Sequence, residues 1–321
     1  MKKIFFIILV CLFSLLTAGK SSAVTVISPI LEMEANPGES QNGILKIYNE
    51  TAEPLYLTPN IEAFAAGDET GTPVYLTGRE KTDYLGWFKL SKDFLLLPSK
   101  QGLVVPFAVT VPLDAVPGGY YAVIFWQTAP QAAKENPAVG ISSQVGTLVF
   151  LKVKGEVVES GNLAEFKTVS ESKYLFSFPV NFLVRFANTG NVHLKPEGNI
   201  TLKNWLGQTE ILPVNADKKN VLPGSIRRFE TLWGGSFAGN FWQKYFSALK
   251  NEIDHFTFGK YTATLNLTYG LVPQQTVTAQ LDFWFIPVNL LITSVFGLVV
   301  LIILIKINSK IKKLKNKKAN N

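Results

Sequence analysis

Residues 111–127 have the sequence VPLDAVPGGYYAVIFWQ, which places a turn directly before a strand. The two prolines restrict the backbone, and Gly118 and Gly119 permit a tight turn. From Tyr120 onward, successive apolar and aromatic side chains would point to opposite faces of a sheet. The stretch therefore predicts a turn that enters a central strand, and it indicates a β fold.

Runs rich in Val, Ile, Phe, Tyr and Thr recur on both sides of this stretch, separated by turn signals. Short strands at this spacing are typical of a β-sandwich. We predict an all-β protein with two tandem immunoglobulin-like β-sandwiches, at residues 24–157 and 162–285. The predicted strands lie at residues 24–33, 43–49, 55–64, 103–111, 120–127, 147–153, 180–187, 199–203, 226–232, 261–269 and 277–285.

Three features recur in the same order in both halves of the chain, which indicates an internal repeat. Each half has a strand that ends in asparagine, then a Leu-Pro turn, then a glycine turn before a strand that carries tyrosine. They are found at Asn49, Leu97, Pro98, Gly119 and Tyr120, and again at Asn188, Leu222, Pro223, Gly259 and Tyr261. Pro98 and Tyr120 are 22 positions apart, whereas Pro223 and Tyr261 are 38 apart. The second domain is therefore predicted to carry an insertion.

The inserted segment predicts one amphipathic helix near residues 240–256. Its apolar side chains share one helical stripe, which consists of Trp242, Tyr245, Phe246, Leu249, Ile253 and Phe256. Such a helix could cap an open edge or end of the sandwich, or it could rest on the outer surface of a membrane. Its polar face is mixed rather than rich in lysine, which favours capping.

A long loop is predicted at residues 128–142, which are rich in Ala, Pro, Gln and Gly. Long loops displayed by a rigid sandwich are where recognition usually takes place. The candidate binding residues in and beside this loop are Gln127, Gln131, Lys134, Glu135 and Asn136.

The two ends of the chain carry different hydrophobic stretches. Two lysines, an apolar run of 13 residues and then small residues predict a signal peptide at residues 1–23. Residues 286–305 form a run of 20 without a charge, and at ~1.5 Å per residue a helix of this length crosses the ~30 Å hydrocarbon core. We predict a single transmembrane helix there. The lone cysteine, Cys11, lies in the signal run, so the mature protein is expected to have no disulfide.

The charge beside the C-terminal span predicts its orientation in the cell membrane. Seven lysines and no acidic residue follow it, which places the tail at residues 306–321 in the cytoplasm and the sandwiches outside. Trp284 and Phe285 are expected at the outer interface of the membrane. Membrane lipid is thus a predicted partner, and the anchoring lysines at the inner headgroups are Lys306, Lys310, Lys312 and Lys313.

The distribution of charge gives no support to nucleic-acid binding. Ten of the 31 basic residues lie in the signal peptide and the tail, so residues 24–285 hold 21 basic and 24 acidic residues. The net charge of +7 therefore does not belong to the sandwiches.

Residues suited to catalysis are sparse in this sequence. The two histidines, His193 and His255, belong to no HExxH or Cys/His spacing that would hold a metal, so each is expected to be structural. No Gly-x-Ser-x-Gly nucleophile motif is present. We predict a non-enzymatic protein without a cofactor or a metal.

Several short motifs resemble those of one known family. They are NPG at 36–38, GWF at 86–88, LP at 97–98, VPLDAVPGGYYA at 111–122, VGTLV at 145–149, NTGNVH at 188–193 and VLPGS at 221–225. In this respect the chain resembles the WxL-associated surface proteins. The resemblance implies a signal peptide, an immunoglobulin-like peptidoglycan-binding domain, a host-binding domain, a transmembrane helix and a basic tail. The inserted helix departs from that pattern.

Two functions are consistent with these features. The first is a membrane-anchored bacterial surface protein for adhesion, which binds cell-wall peptidoglycan or another cell-surface protein. The alternative is a chaperone-like assembly factor that accepts a strand from a client surface protein at an exposed sandwich edge. The alternative predicts that the client is held by backbone pairing.

Overall fold

The computed structural model describes residues 24–76, 83–128, 144–235, 238–255, 258–271 and 274–319, with side chains as far as residue 312. The chain divides into two compact units. Unit 1 comprises the residues up to Gly67 together with Pro73–Val158, and unit 2 comprises Asp68–Thr72 and the residues from Glu159 onward.

Unit 1 is a sandwich of two sheets. One sheet has the order β1-β3-β8-β6, and the other has the order β2-β10-β9-β4-β5, with β7 also paired to β4. A short 3-10 helix lies at Asp83–Trp87. The strands are β1 (Val24–Val26), β2 (Ile30–Ala35), β3 (Ser40–Asn49), β4 (Leu55–Ala66), β5 (Pro73–Leu76), β6 (Phe88–Leu90), β7 (Leu95–Leu97), β8 (Gly102–Thr110), β9 (Gly118–Thr128) and β10 (Gln144–Val153).

Unit 2 is a second sandwich with two helices. Its sheets have the orders β11-β13-β16 and β12-β18-β17-β14-β15. Helix α1 (Phe241–Asp254) lies between β16 and β17, and helix α2 (Val288–Ala319) follows β18. The strands are β11 (Gly161–Thr168), β12 (Tyr174–Leu175), β13 (Val180–Asn188), β14 (Glu197–Asn204), β15 (Thr209–Val214), β16 (Ile226–Trp233), β17 (Gly259–Tyr269) and β18 (Gln275–Phe285). The predicted class, two tandem immunoglobulin-like sandwiches with an inserted helix, is confirmed.

The two sandwiches share one topology. The path β1-β3-β8 in unit 1 corresponds to β11-β13-β16 in unit 2, and β2-β10-β9-β4-β5 corresponds to β12-β18-β17-β14-β15. In both units the first two strands belong to different sheets. The second of them, β2 in unit 1 and β12 in unit 2, pairs in parallel with the last strand of its unit. The predicted internal repeat is confirmed, and α1 occupies the place of residues 111–117 in unit 1.

Strand β9 is the central strand that residues 111–127 predict. It pairs with β4 on one side and with β10 on the other. Ala122, Ile124 and Trp126 face the core between the two sheets. Tyr121 on the opposite face packs edge-on against the ring of Phe150. Burial of a large apolar side chain stabilises a fold by about 1.5–3 kcal/mol, so β9 anchors unit 1 on both faces.

A buried asparagine closes the end of the same strand in each unit. In unit 1, the Nδ2 of Asn49 donates to the carbonyl oxygens of Glu53, Leu97 and Pro98 at 2.8, 3.1 and 3.1 Å. The Oδ1 of Asn49 accepts from the backbone N–H of Thr51 at 2.8 Å. These bonds tie the end of β3 to the Leu-Pro turn that follows β7. The repeated asparagine and the repeated Leu-Pro turn are therefore joined by hydrogen bonds.

The corresponding residue in unit 2 is Asn188, at the end of β13. Its Nδ2 donates to the carbonyl oxygens of Val192 and Val221, both at 2.8 Å. Its Oδ1 accepts from the backbone N–H of Gly190 at 2.9 Å. A buried polar group is costly unless it is hydrogen-bonded, so each asparagine stabilises its unit only through these partners.

Helix α1 confirms the helix predicted near residues 240–256, but a different stripe of the helix is covered. Asn240 caps the helix by accepting from the backbone N–H of Gln243 at 3.0 Å. The side chains of Ala248 and Glu252 are buried, whereas those of Trp242 and Phe246 are exposed. The interpretation that the aromatic stripe caps the sandwich is therefore wrong.

Helix α2 contains the predicted span with different bounds. It begins at Val288, two residues after the predicted start, and it continues to Ala319 instead of ending at residue 305. Residues Val288–Lys312 are long and apolar enough to cross a membrane. Ile286 precedes the helix and donates its backbone N–H to the carbonyl oxygen of Leu175 at 2.8 Å.

Candidate functional site

Gln127 lies near the end of β9, where it is opposite Gln144 on β10 and Thr58 on β4. Its side chain is exposed, but the residue belongs to a paired strand rather than to a loop. Gln131, Lys134, Glu135 and Asn136 lie outside the described residues, so the binding loop stays a prediction.

An open groove of about 870 Å³ lies on the surface of unit 1. Its lining comes from four strands, and apolar side chains predominate among them. Leu31 and Met33 contribute from β2, Ile44 from β3, and Leu90 and Phe107 from β6 and β8. Glu32, Asn42, Lys89 and Ser91 add polar groups at the rim. A groove of this composition fits apolar side chains of a ligand and offers a few groups for orientation.

Strand β2, beside the groove, is an edge strand. Among the described strands it pairs only with β10, in parallel and over its full length. The carbonyl oxygens of Pro29, just before β2, and of Ala35 accept from the backbone N–H groups of Leu148 on β10 and of Lys154 just after it. Because backbone groups alternate along a strand, Ile30 and Glu34 direct theirs away from β10. The edge thus presents backbone donors and acceptors to an added strand.

The first half of β3 likewise pairs with no described strand on the side away from β8. Strand β1 pairs with β3 only at residues Ile47–Asn49, at the far end of β3. Residues 42–44 of β3 and 31–33 of β2 line the same groove. The groove therefore opens along the seam where the two sheets of unit 1 separate.

Gly43 shapes the floor of the groove, because the ring of Phe107 occupies the space beside its Cα. A Cβ added at Gly43 would lie 2.2 Å from Cε1 of Phe107. We expect Gly43→Ala to lower the free energy of unfolding of unit 1 by about 1–3 kcal/mol, because the buried ring must move. Urea unfolding of the full chain in detergent measures this loss. Gly86→Ala is the control, since nothing lies within 4 Å of that position, and an equal loss in both variants would contradict the prediction.

An aromatic cluster supports the start of β9 from inside unit 1. The rings of Tyr84 and Trp87 pack against the ring of Tyr120, with centroid distances of 5.2 and 4.7 Å. The Oη of Tyr84 donates to the carbonyl oxygen of Tyr121 at 2.8 Å. Burial raises the pKa of Tyr84 and of Tyr120 above the ordinary value. Both phenols therefore stay neutral and structural.

Two titratable residues of unit 2, His255 and Glu210, contact each other. His255 follows α1, and its Nδ1 lies 3.1 Å from Oε2 of Glu210. The same carboxylate accepts from Nε1 of Trp233 at 2.7 Å. Within the described residues, no group of three His, Cys, Asp or Glu side chains could hold a metal ion.

The residues predicted to lie at the membrane differ in their surroundings. Trp284 is exposed, whereas Phe285 is completely buried and packs against Phe178 and Trp233. The prediction that Phe285 sits at the membrane interface is therefore wrong, because alternate side chains of β18 face opposite sides of the sheet. Lys306, Lys310 and Lys312 lie on α2, and the side chain of Lys313 is outside the described ones.

The sequence did not predict the residues that join α1 to the first turns of α2. Glu252 is buried, and its carboxylate accepts from Nδ2 of Asn289 at 2.6 Å and from the backbone N–H of Leu290 at 2.7 Å. The Oη of Tyr245 lies 2.7 Å from Oγ1 of Thr293. The negative carboxylate is favourable at the N-terminus of a helix, so Glu252 caps α2. The apolar pattern of α1 gives no indication that Glu252 caps another helix.

Comparisons with known proteins give only distant similarities. No family model matches the chain, and no curated protein matches it. The crystal structure of the class 5 fimbriae chaperone CfaA is similar at 10% identity and a TM-score of 0.40, over 80% of this chain and 98% of that chain. The YadV chaperone is similar at 11% identity and a TM-score of 0.36, over 80% and 99%. The E. coli chaperone DraB is similar at 13% identity and a TM-score of 0.36, over 81% and 97%.

Proposed function

We propose that this chain is a non-enzymatic, membrane-anchored protein that binds an extended segment of a surface-protein partner at the groove of unit 1. The observation that carries the proposal is that β2, directly beside an apolar groove, pairs with β10 alone among the described strands. An added strand would pair with the backbone of β2, and its alternate side chains would enter the groove.

The chemistry of the groove favours a peptide over a glycan. Its walls are mainly apolar, with Leu31, Met33 and Phe107 among them. A glycan carries many hydroxyl groups, and each would need a hydrogen-bond partner when it is buried. An extended peptide brings its own backbone donors and acceptors, which match the edge of β2. Met33 is flexible and polarizable, so it can adapt to different partner side chains.

The resemblance to the WxL-associated surface proteins supports the cellular setting of this proposal. It implies a surface location with the sandwiches outside the membrane and a basic tail inside, and the lysines that follow the apolar run of α2 support the same orientation. It also implies peptidoglycan as a ligand, and binding of wall glycan is therefore an outcome that the experiment must detect.

The test is photocrosslinking from the groove of the full chain in its native cells. A p-benzoylphenylalanine residue replaces Ile44 in the groove or Val74 on β5, and both side chains are 49% exposed. We expect Ile44 to crosslink to a short protein segment with alternating apolar residues, and Val74 to give no such product. A product that contains wall glycan, or equal products at both positions, would contradict the proposal.

Binding of the synthetic crosslinked segment then tests the role of the β2 edge. Glu34→Pro removes a backbone N–H directed away from β10, and proline is tolerated at such edge positions. Glu34→Gln is the matched control, because it keeps the N–H and removes only the charge that faces Lys154. We expect the proline variant alone to lose binding while its unfolding midpoint is unchanged. Equal affinities in the two variants would exclude strand addition at β2.

A further inference from the structure

A set of large apolar side chains is exposed around the place where unit 2 joins α2. On α1, Phe241, Trp242 and Phe246 are 72%, 63% and 59% exposed. Phe258, just before β17, and Trp205, just after β14, are also exposed. We refer to these five residues as the aromatic collar. An exposed apolar cluster of this kind marks a surface that a partner or a membrane covers.

Backbone contacts place the members of the collar at one end of the unit 2 sandwich. The Nε1 of Trp205 donates to the carbonyl oxygen of Phe258 at 2.8 Å. The N–H of Trp205 donates to the carbonyl oxygen of Lys260, which pairs with Trp284 at the end of β18. Helix α2 begins only a few residues later, at Val288. Trp205 and Phe258 thus lie at the end of unit 2 from which α2 begins.

The contacts between α1 and α2 determine how far along the membrane span α1 lies. Tyr245 on α1 contacts Thr293, five residues beyond the start of the span at Val288. At a rise of ~1.5 Å per residue, Thr293 lies about 7–8 Å along the helix from that start. An interfacial amphipathic helix buries its apolar face by about 5–10 Å at the headgroup and acyl boundary. Helix α1 is therefore held at the depth where such helices lie.

The chemistry of the collar also matches this region of a bilayer. Tryptophan and tyrosine are enriched at membrane interfaces because their rings are amphipathic. Trp242 belongs to the collar and the half-buried Tyr245 lies beside it within one turn of α1, while the side chain of Lys244 between them is exposed. Aromatic side chains next to a lysine suit the boundary between acyl chains and headgroups.

We propose that α1 and the aromatic collar are embedded in the interface of the leaflet next to unit 2, with lipid as their partner. The inference is independent of what the groove of unit 1 binds, and it rests on α2 crossing the membrane. It assigns α1 a second membrane contact beside the span. Unit 2 would then stand directly on the lipid surface, because the buried Glu252 holds α1 to the first turn of α2.

The test uses the full chain in vesicles of phosphatidylcholine and phosphatidylglycerol, with bromine atoms on the acyl chains near the headgroups. Cys11 is the only cysteine, so Cys11→Ser gives a background in which one new thiol can be labelled with bimane. The labelled positions are Trp242→Cys and Phe246→Cys in the collar, and Leu271→Cys as the control. Leu271 is exposed and follows β17, a strand of 11 residues that spans about 35 Å.

We expect the bimane emission at positions 242 and 246 to shift to the blue and to lose most of its intensity to bromine. The emission at position 271 should match that of the chain in vesicles without bromine. Equal emission at all three positions would overturn the proposal, as would disulfide-linked dimers through position 242, because a second copy would then cover the collar. Phe258→Cys provides a further collar position if a helix variant fails to fold.

Discussion

Unit 2 is expected to lose about 2–4 kcal/mol of its free energy of unfolding when Asn188 is replaced by alanine. The side chain is 1% exposed, and it bonds the carbonyl oxygens of Val192 and Val221 and the N–H of Gly190. Without it, the carbonyl oxygen of Val192 and the half-buried N–H of Gly190 lose this partner, and the carbonyl oxygen of Val221 keeps only the backbone N–H of Leu194. Urea unfolding of the full chain in detergent, monitored for the transition of unit 2, measures the loss.

The control for this variant is Asn162→Ala, which alters an exposed asparagine on β11 of the same sheet. Its effect should stay within about 0.5 kcal/mol. Asn49→Ala should destabilise unit 1 in the same way, because Asn49 holds the equivalent Leu-Pro turn. Equal stability of Asn188→Ala and Asn162→Ala would show that the buried amide contributes nothing.

Gly198→Ala is expected to destabilise unit 2 by about 3 kcal/mol, the upper end of the range for overpacked positions. Gly198 lies on β14 opposite Leu267 of β17. A Cβ at this position would lie 1.9 Å from the carbonyl oxygen of Asn266, a backbone atom that cannot rotate away. The ladder between β14 and β17 must open locally to accept it.

Hydrogen exchange gives the sharpest measurement of this second effect. Amides of β14 and β17 should exchange faster in Gly198→Ala, whereas those of β11 and β13 in the other sheet should change less. Gly86→Ala in unit 1 is the control, because its added methyl group meets open space. Unchanged protection along β17 would contradict the steric argument.

Alternation of apolar and polar side chains predicts the sandwiches, and it also distinguishes two neighbouring aromatic residues at the end of β18. On β18, Phe283 and Phe285 face the core and Trp284 faces outward, as a period of two requires. The interface prediction treated Trp284 and Phe285 as a pair, which is correct for the end of a membrane helix and wrong for a strand. The alternation along β18 places the two side chains on opposite sides of the sheet.

The first predicted strand, residues 24–33, is divided in the structure. Strand β1 ends at Val26 and pairs with β3, whereas β2 begins at Ile30 and pairs with β10. Pro29 lies in the break, and proline in a run of strand residues signals such an interruption. The groove itself could not be predicted from the sequence, because its lining comes from four strands that only the tertiary fold brings together.

Helix α1 shows a different limit of sequence interpretation. The apolar stripe correctly predicted a helix, but the burial of Glu252 and the exposure of Trp242 reverse the expected sides. The usual rule assumes that water is the only solvent around the domain. With α2 in a membrane, as we propose, lipid is a second solvent for the exposed side of α1, and Glu252 on the other side caps α2.

The junction between β18 and α2 has a mechanical consequence. Ile286 is bonded to Leu175, only Pro287 separates it from the helix, and Glu252 clamps the first turn of α2. A spanning helix changes its tilt when the thickness of the bilayer changes. Because the connection from β18 to α2 is this short, a change in the tilt of α2 in a bilayer would be passed on to the sandwich of unit 2.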